Sequence, residues 1–362
     1  MALPGWIRQW LAAGGYLSIF IAPCLLAVGI EADRPLLAFG AVMVFYPLAR
    51  VVFGEVGEEP VIWMEGISTF LHCLPRAYAT CLPIAIFWVP LADGDASSRD
   101  AHFLVSTGLS LWATLLLSTC VAHELIHRQS DADARLGRWL AAMAGYPLLG
   151  IEHLVHHLRA GDVRRAEWPA AEESVWAFVA RRQCLVLRAA IDVALGRSGS
   201  ERARRALIES CGVTTLCFAV FAGAMGSSGA VLYAATAIGV AFGYHAINYV
   251  QHWGLGGEQS AAVGPHTLAW EDSCRFQVWV TLNISCHQAH HRDARRPYYL
   301  LTLERGSPRQ PAGYLILLLL SLVPPLWQRL MTPVLEAWRR DPTPTAPRGR
   351  RLTCFRQLSI GT

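Results

Sequence analysis

Nine of the thirteen histidines fall into four short clusters. HELIH carries His123 and His127, EHLVHH carries His153, His156 and His157, NYVQHWGL carries His252, and HQAHH carries His287, His290 and His291. Residues four apart on an α-helix lie on one face, about one turn from each other, so His123 and His127 present their imidazoles together. By the same spacing each HxxHH is expected to aim three imidazoles at one point. Imidazole nitrogen ligates zinc, copper, iron and nickel. HExxH is also the zinc-protease signature, with the carboxylate, here Glu124, as general base. That reading takes one zinc and one further ligand and leaves three clusters idle. Nine imidazoles exceed what one tetrahedral zinc can use and suit two iron ions with several nitrogen ligands each.

Such chemistry needs elements that bring the four clusters to one place. Of the 362 residues, 53% are hydrophobic and 16% charged, and the mean hydropathy is +0.32. Soluble domains carry roughly a quarter charged residues. Apolar segments of spanning length, about 17–25 residues, occur at 11–30, 35–53, 67–91, 102–122, 206–225 and 229–250. The third carries His72, Pro75, Arg76 and Pro83 and is expected to kink or to face the bundle interior. The stretch 123–205 is rich in Arg, which places it on the cytoplasmic side, while the linker 92–101 is acidic. All four histidine clusters then lie at or beyond the cytoplasmic ends of spans.

The expected fold is all-α: an integral, multi-pass membrane bundle of about six transmembrane helices with a cytoplasmic His-rich helical cap. It forms one domain over 1–340, with a Pro- and Arg-rich disordered tail at 341–362. The apolar run 313–327 is short and broken by Pro324 and Pro325, so it is read as a membrane-dipping or interfacial segment. A net charge of +4, dispersed along the chain, argues against nucleic-acid binding. The ten cysteines form no CxxC, which disfavours a zinc ribbon or a built-in iron–sulfur or rubredoxin module. The N-terminus lacks a cleavable signal pattern. His245, two turns before His252, reads as a hydrogen-bonding or pocket-lining residue, and His72, His102 and His266 as structural. A membrane metal transporter that uses histidines as a relay is an alternative of another class, but it predicts ligands spread along the spans.

At these residues the chain resembles the membrane-bound non-haem diiron family of alkane and xylene hydroxylases and fatty acid desaturases. The His spacings fit desaturases equally well. Three segments tilt the resemblance toward the alkane and xylene branch: HELIHR at 123–128, NYVQHWGL at 248–255 and GYLILLLLSLVPPLWQRLMTP at 313–333. GRWLAAMAGYPLLGIEH at 137–153 is similar to that branch's linker. The likeness covers about 100–335. EHLVHH is one residue shorter than the family's usual EHxxGHH, HQAHH stands for HSDHH, and Gln251 stands where a Glu is usual. These departures bear on the substrate more than on the metal chemistry.

The resemblance implies two irons held by the nine histidines, with O2 as co-substrate. The implied reaction is hydroxylation of a C–H bond in a hydrophobic substrate (an alkane, alkyl-aromatic or lipid-like molecule), or desaturation at the same site. Glu124 and Glu152, each beside a ligand, are expected to orient imidazoles, as carboxylates commonly do. Asn248 would orient His252 or line the pocket. Substrate would enter from lipid past Trp112, Leu116 and Phe242. Electrons would come from a rubredoxin or ferredoxin-type donor with its reductase. Arg159, Arg164, Arg165, Arg292, Arg295 and Arg296 would form its docking surface, or contact anionic lipid. The expected location is a bacterial inner membrane with the site at the cytoplasmic face.

Overall fold

The computed structural model describes residues 4–92, 100–158, 167–256 and 268–341. They form helices and loops, with two isolated β-bridges, Glu55 to Cys274 and Glu271 to Arg309. In chain order the helices are α1 (Gly5–Glu31) and α2 (Leu37–Phe53), α3 (Glu65–Ala92), α4 (Ala101–His127), α5 (Asp131–Met143), α6 (Leu149–Leu158) and α7 (Val175–Ala194). They continue with α8 (Glu201–His252), α9 (Arg275–Val280), α10 (His287–Arg292), α11 (Tyr314–Ser321) and α12 (Pro324–Arg340). Four of these, α1, α3, α4 and α8, are long and apolar enough to cross a membrane, and α2 is a shorter apolar helix. The protein is an all-α integral membrane bundle.

The fifth and sixth apolar segments turn out to share one element. α8 runs for 52 residues, which at 1.5 Å per residue would reach about 78 Å, more than twice a ~30 Å hydrocarbon core. It does not run straight. Gly226 has φ 63° and ψ −145°, a conformation that glycine adopts without the Cβ clash other residues suffer. The two arms fold back on each other there. A Cβ placed on Gly229 would fall 2.1 Å from the Phe221 carbonyl oxygen, and the Phe221 and Tyr233 rings sit 5.2 Å apart. Twelve residues of straight helix would separate those two by about 18 Å. The arms 206–225 and 229–250 are thus joined without a loop.

α3 continues as one helix through Pro75, Pro83 and Pro90, with Pro75 and Pro90 buried. Its Arg76 makes a bidentate contact with Asp133 of α5, at 2.6 and 2.7 Å. α11 has eight residues, about 12 Å of helix, too short to span. It buries Tyr314, Leu317 and Leu318, and Pro324 at the first turn of α12 starts the next helix. The tail beyond Asp341 lies outside the described residues. What the fold achieves for chemistry is convergence. α4 and α8 both end in histidines, and α6 and α10 carry the other six of the nine.

Candidate metal centre

Each of the nine clustered histidines is brought into one of two groups. His123, His127, His153, His157 and His290 form the first; His156, His252, His287 and His291 form the second; within each, the ligand-capable atoms lie within 4.8 Å of one another. The expectation that each HxxHH aims three imidazoles at one point is corrected. His153 and His157 enter the first group while His156 enters the second, and α10 does the reverse, with His287 and His291 in the second group and His290 in the first. Helical geometry explains the split. At about 100° per residue, position i+4 is rotated about 40° one way from i and position i+3 about 60° the other way. Each HxxHH therefore straddles both groups.

The contacts inside each group run between Nε2 atoms. In the first, His153 and His157 are 2.9 Å apart, His157 and His290 3.1 Å, and His127 also touches His153. In the second, His156 lies 3.3 Å from His291, His287 lies 3.2 Å from His252, and His291 lies 3.2 Å from His287. A ring Nε2 carries one hydrogen or one lone pair, so His157 and His291, each facing two other Nε2 atoms, cannot satisfy both contacts by hydrogen bonding. A shared cation satisfies all of them. Metal–nitrogen bonds of about 2.0–2.1 Å require neighbouring donors about 2.9 Å apart in octahedral and about 3.4 Å in tetrahedral coordination, the range seen here. The donor set fits a metal pair.

Burial holds these imidazoles in the neutral, ligating form. Outside the spans, His153, His156, His287, His290 and His291 titrate well below the ordinary histidine range, through burial first and neighbouring imidazoles second. Burial also lowers His157, to about 4. With Nε2 turned inward, the outer nitrogens of two rings find partners among the described residues. His252 Nδ1 donates to the Leu268 carbonyl at 2.8 Å, and His153 Nδ1 lies 3.4 Å from the Tyr244 hydroxyl. Trp168 stacks on His252 with centroids 4.4 Å apart and planes at 25°.

Neither carboxylate bonds the clustered histidine beside it, which corrects the expectation that each would orient its neighbour. Glu124 points about 100° round α4 from His123 and accepts from Arg128 Nε at 3.2 Å. Glu152 belongs to a buried network. It accepts from the Tyr146 hydroxyl at 2.5 Å and from Arg182 at 3.3 Å, and its Oε1 is 3.1 Å from His245 Nδ1. Burial alone would raise the Glu152 pKa, but His245, Arg182 and Tyr146 outweigh it and hold the carboxyl down at about 2. Arg182 also pairs with Glu167 at 2.7 Å, all three side chains being at most 2% exposed. This guanidinium joins α6, which feeds both groups, to the segment that sets Trp168 on His252. Tyr146, Trp168, Arg182 and Tyr244 escaped sequence reasoning. For Arg182 a signal existed: it shares a face of α7 with the buried Val175, Phe178, Val179 and Val186, a helical apolar stripe.

A cavity of about 560 Å³ reaches His123, His153, His156 and His287, and Trp112, Leu116 and Asn248 line it. Phe242 is not part of its wall; it packs on Trp176 with centroids 5.2 Å apart. His245 is likewise absent from the wall and is fully buried, held by Glu152 and by Gln183 Oε1 at 3.0 Å from its Nε2. Gln251 donates to the Tyr314 hydroxyl at 3.0 Å. His72 is half-buried and His102 exposed, both away from the groups. Arg292, Arg295 and Arg296 are exposed, with Arg292 paired to Glu304 at 3.1 Å. Arg159, Arg164, Arg165 and His266 lie outside the described residues.

A family model described as fatty acid desaturase matches residues 101–305, which contain all nine histidines. Alkane 1-monooxygenase 1 of Pseudomonas aeruginosa is 29% identical over 316 residues, 81% of this chain and 80% of that protein. Alkane 1-monooxygenase 2 of Alcanivorax borkumensis is 26% identical over 62% of this chain and 61% of that protein. The xylene/toluene monooxygenase hydroxylase component XylM of Pseudomonas putida is 26% identical over 64% of this chain and 65% of that protein.

Proposed function

The chain belongs to the fatty acid desaturase family, and from that premise we propose that it is a membrane diiron monooxygenase that hydroxylates a C–H bond of a hydrophobic substrate. The observation that carries this reading is the sorting of nine imidazoles into groups of five and four. His123, His127, His153, His157 and His290 would hold one iron, and His156, His252, His287 and His291 the other. When bound, the iron pair supplies the O2-dependent oxidising power that an unactivated C–H bond requires. The chain's own residues do the rest. The apolar wall at Trp112 and Leu116 seats the substrate against His123, His153, His156 and His287 and excludes water from the reacting bond. The Leu268 carbonyl and Tyr244 hold two imidazoles in the tautomer that faces inward.

The catalytic domain is taken as 1–340. Electrons would come from a separate rubredoxin or ferredoxin-type protein, for which exposed Arg292, Arg295 and Arg296 offer a basic surface complementary to an acidic donor. The Arg-rich stretch that includes α5 to α7 favours a cytoplasmic face of a bacterial inner membrane for the site. Zinc proteolysis is disfavoured because Glu124 is engaged by Arg128 rather than turned to the histidines. Desaturation is the second reading, favoured by the description of the family model. Metal analysis with Mössbauer spectroscopy on purified protein is expected to find two irons per chain, and a single zinc would overturn the reading. Incubation with O2, an electron donor and a hydrophobic substrate is expected to give an alcohol. An alkene would move the assignment to desaturation.

A further inference from the structure

The cavity is not uniformly apolar. Its α4 wall offers Trp112, Leu116 and Leu117, but the wall built by α2 and α9 offers Tyr46, Arg50 and Gln277. The Tyr46 hydroxyl and Gln277 Nε2 are buried with no hydrogen-bond partner among the described residues. Gln277 is not free to turn, because its Oε1 accepts from the Tyr314 amide at 2.8 Å, so its amino group keeps pointing away from that bond. Buried donors without acceptors are destabilising, and a plain hydrocarbon gives them nothing. A substrate oxygen would. Arg50 narrows the choice further. It already pairs with Asp272 and with Glu55 at 3.3 Å, so two carboxylates face one guanidinium and an anionic substrate would add a third negative charge to a poorly solvated site. Resting on the monooxygenase reading for the reaction, we infer that the substrate is a hydrophobic molecule bearing a neutral hydrogen-bond-accepting oxygen, a hydroxyl, ketone or ester, remote from the bond that is oxidised. Tyr46 and Gln277 would receive that oxygen, while the histidine wall receives the other end of the molecule.

The test compares dodecane, dodecan-1-ol and dodecanoate on the purified full chain in phosphatidylcholine nanodiscs. Binding is read by tryptophan fluorescence and corrected for partition into the lipid. Dodecan-1-ol is expected to bind about tenfold more tightly than dodecane, the worth of one or two neutral hydrogen bonds, and dodecanoate no more tightly than dodecane. Tyr46→Phe removes a donor without changing shape and is expected to shrink the preference about threefold. Gln277→Glu keeps the acceptor for the Tyr314 amide, replaces the donor by a carboxylate oxygen, and is expected to abolish what remains. Equal binding of dodecane and dodecan-1-ol overturns the inference, as does a preference that Tyr46→Phe leaves intact. Because binding is read without turnover, iron content and product analysis judge the monooxygenase reading separately.

Discussion

The two histidine groups share the same two HxxHH helices and differ in everything else. The first adds His123 and His127 from the last turn of α4, so five imidazoles arrive on three helices. The second adds only His252 from the end of α8, so it has four. It compensates with rigidity around that one side chain, since Trp168 stacks on the His252 ring and the Leu268 carbonyl takes its Nδ1 hydrogen at 2.8 Å. The first group is held by donor number, the second by the bracing of fewer donors. Splitting each HxxHH between the groups also ties them mechanically, because a shift of α6 or α10 moves ligands of both.

Donor number sets the largest expected difference. His252→Ala leaves three imidazoles in the second group and is expected to lower iron from about two to about one per chain, with loss of activity. His290→Ala leaves four in the first group and is expected to retain close to two irons at saturating metal, with weaker affinity. Elemental analysis across an iron titration reads both. Equal losses would break the comparison, because the fifth donor would then be as indispensable as the fourth.

The brace behind the groups comes next in size. Arg182→Met leaves Glu152 and Glu167 buried without a countercharge and is expected to destabilise the fold by about 3–5 kcal/mol, the usual consequence of removing one partner of a buried ion pair. Combining it with Glu152→Gln and Glu167→Gln is expected to recover most of that loss, since a neutral buried set avoids the desolvation of lone charges. By contrast, Arg135→Ala removes a surface pair with Glu209 and is expected to shift stability by no more than about 1 kcal/mol. Thermal unfolding in nanodiscs distinguishes the three. If the triple variant were as unstable as the single one, the node would matter through its shape and not its charge.

Much of this was legible from residue types and spacing. Apolar length exposed the bundle, because lipid leaves the chain few other solutions, and His123, His127 and His252 at the ends of apolar segments pointed to one membrane face. Two things were hidden. The division of HxxHH depends on a rotation of tens of degrees about a helix axis, which spacing alone treats as one face. The joining of 206–225 to 229–250 depends on one left-handed residue, Gly226, and the GAMGSSG stretch at 223–229 marks a break without showing that helix resumes on both sides with no loop between. Glu124 and Glu152 misled because adjacency in sequence suggested contact. Consecutive residues on a helix point about 100° apart, and each carboxylate turned to an arginine instead.

Acid should separate the groups from their brace. The buried histidines carry depressed folded pKa values, His157 reaching about 4 against an ordinary 6.5. Below pH 6.5 the unfolded chain therefore binds more protons, and the stability these neutral imidazoles hold at pH 7 declines as pH falls from 6.5 through about 4. Glu152 is also depressed, from 4.5 to about 2, so its contribution is intact above 4.5 and is lost between there and about 2. Chelator-treated protein followed by circular dichroism is expected to lose stability first in the upper window. Glu152→Gln should flatten only the lower one. A single transition confined below pH 4.5 would show that the histidines do not govern the acid limb.

The smallest expected effect concerns the one orienting contact in the first group among the described residues. Tyr244 lies 3.4 Å from His153 Nδ1, long for a hydrogen bond, whereas Leu268 holds His252 at 2.8 Å. Outer partners of ligating histidines are commonly worth 10–100-fold in metal affinity, and a long contact in a five-donor group should fall at or below the bottom of that range. Tyr244→Phe is accordingly expected to weaken iron binding in the first group by no more than about tenfold. Trp168→Leu, which removes the plate from His252 while its Nδ1 bond remains, should weaken the four-donor group more than Tyr244→Phe weakens the five-donor one. Stepwise iron titration with a spectroscopic readout of each site ranks them. If Tyr244→Phe proved the more damaging, donor number would not be what secures the first group, and orientation would have to be credited in both.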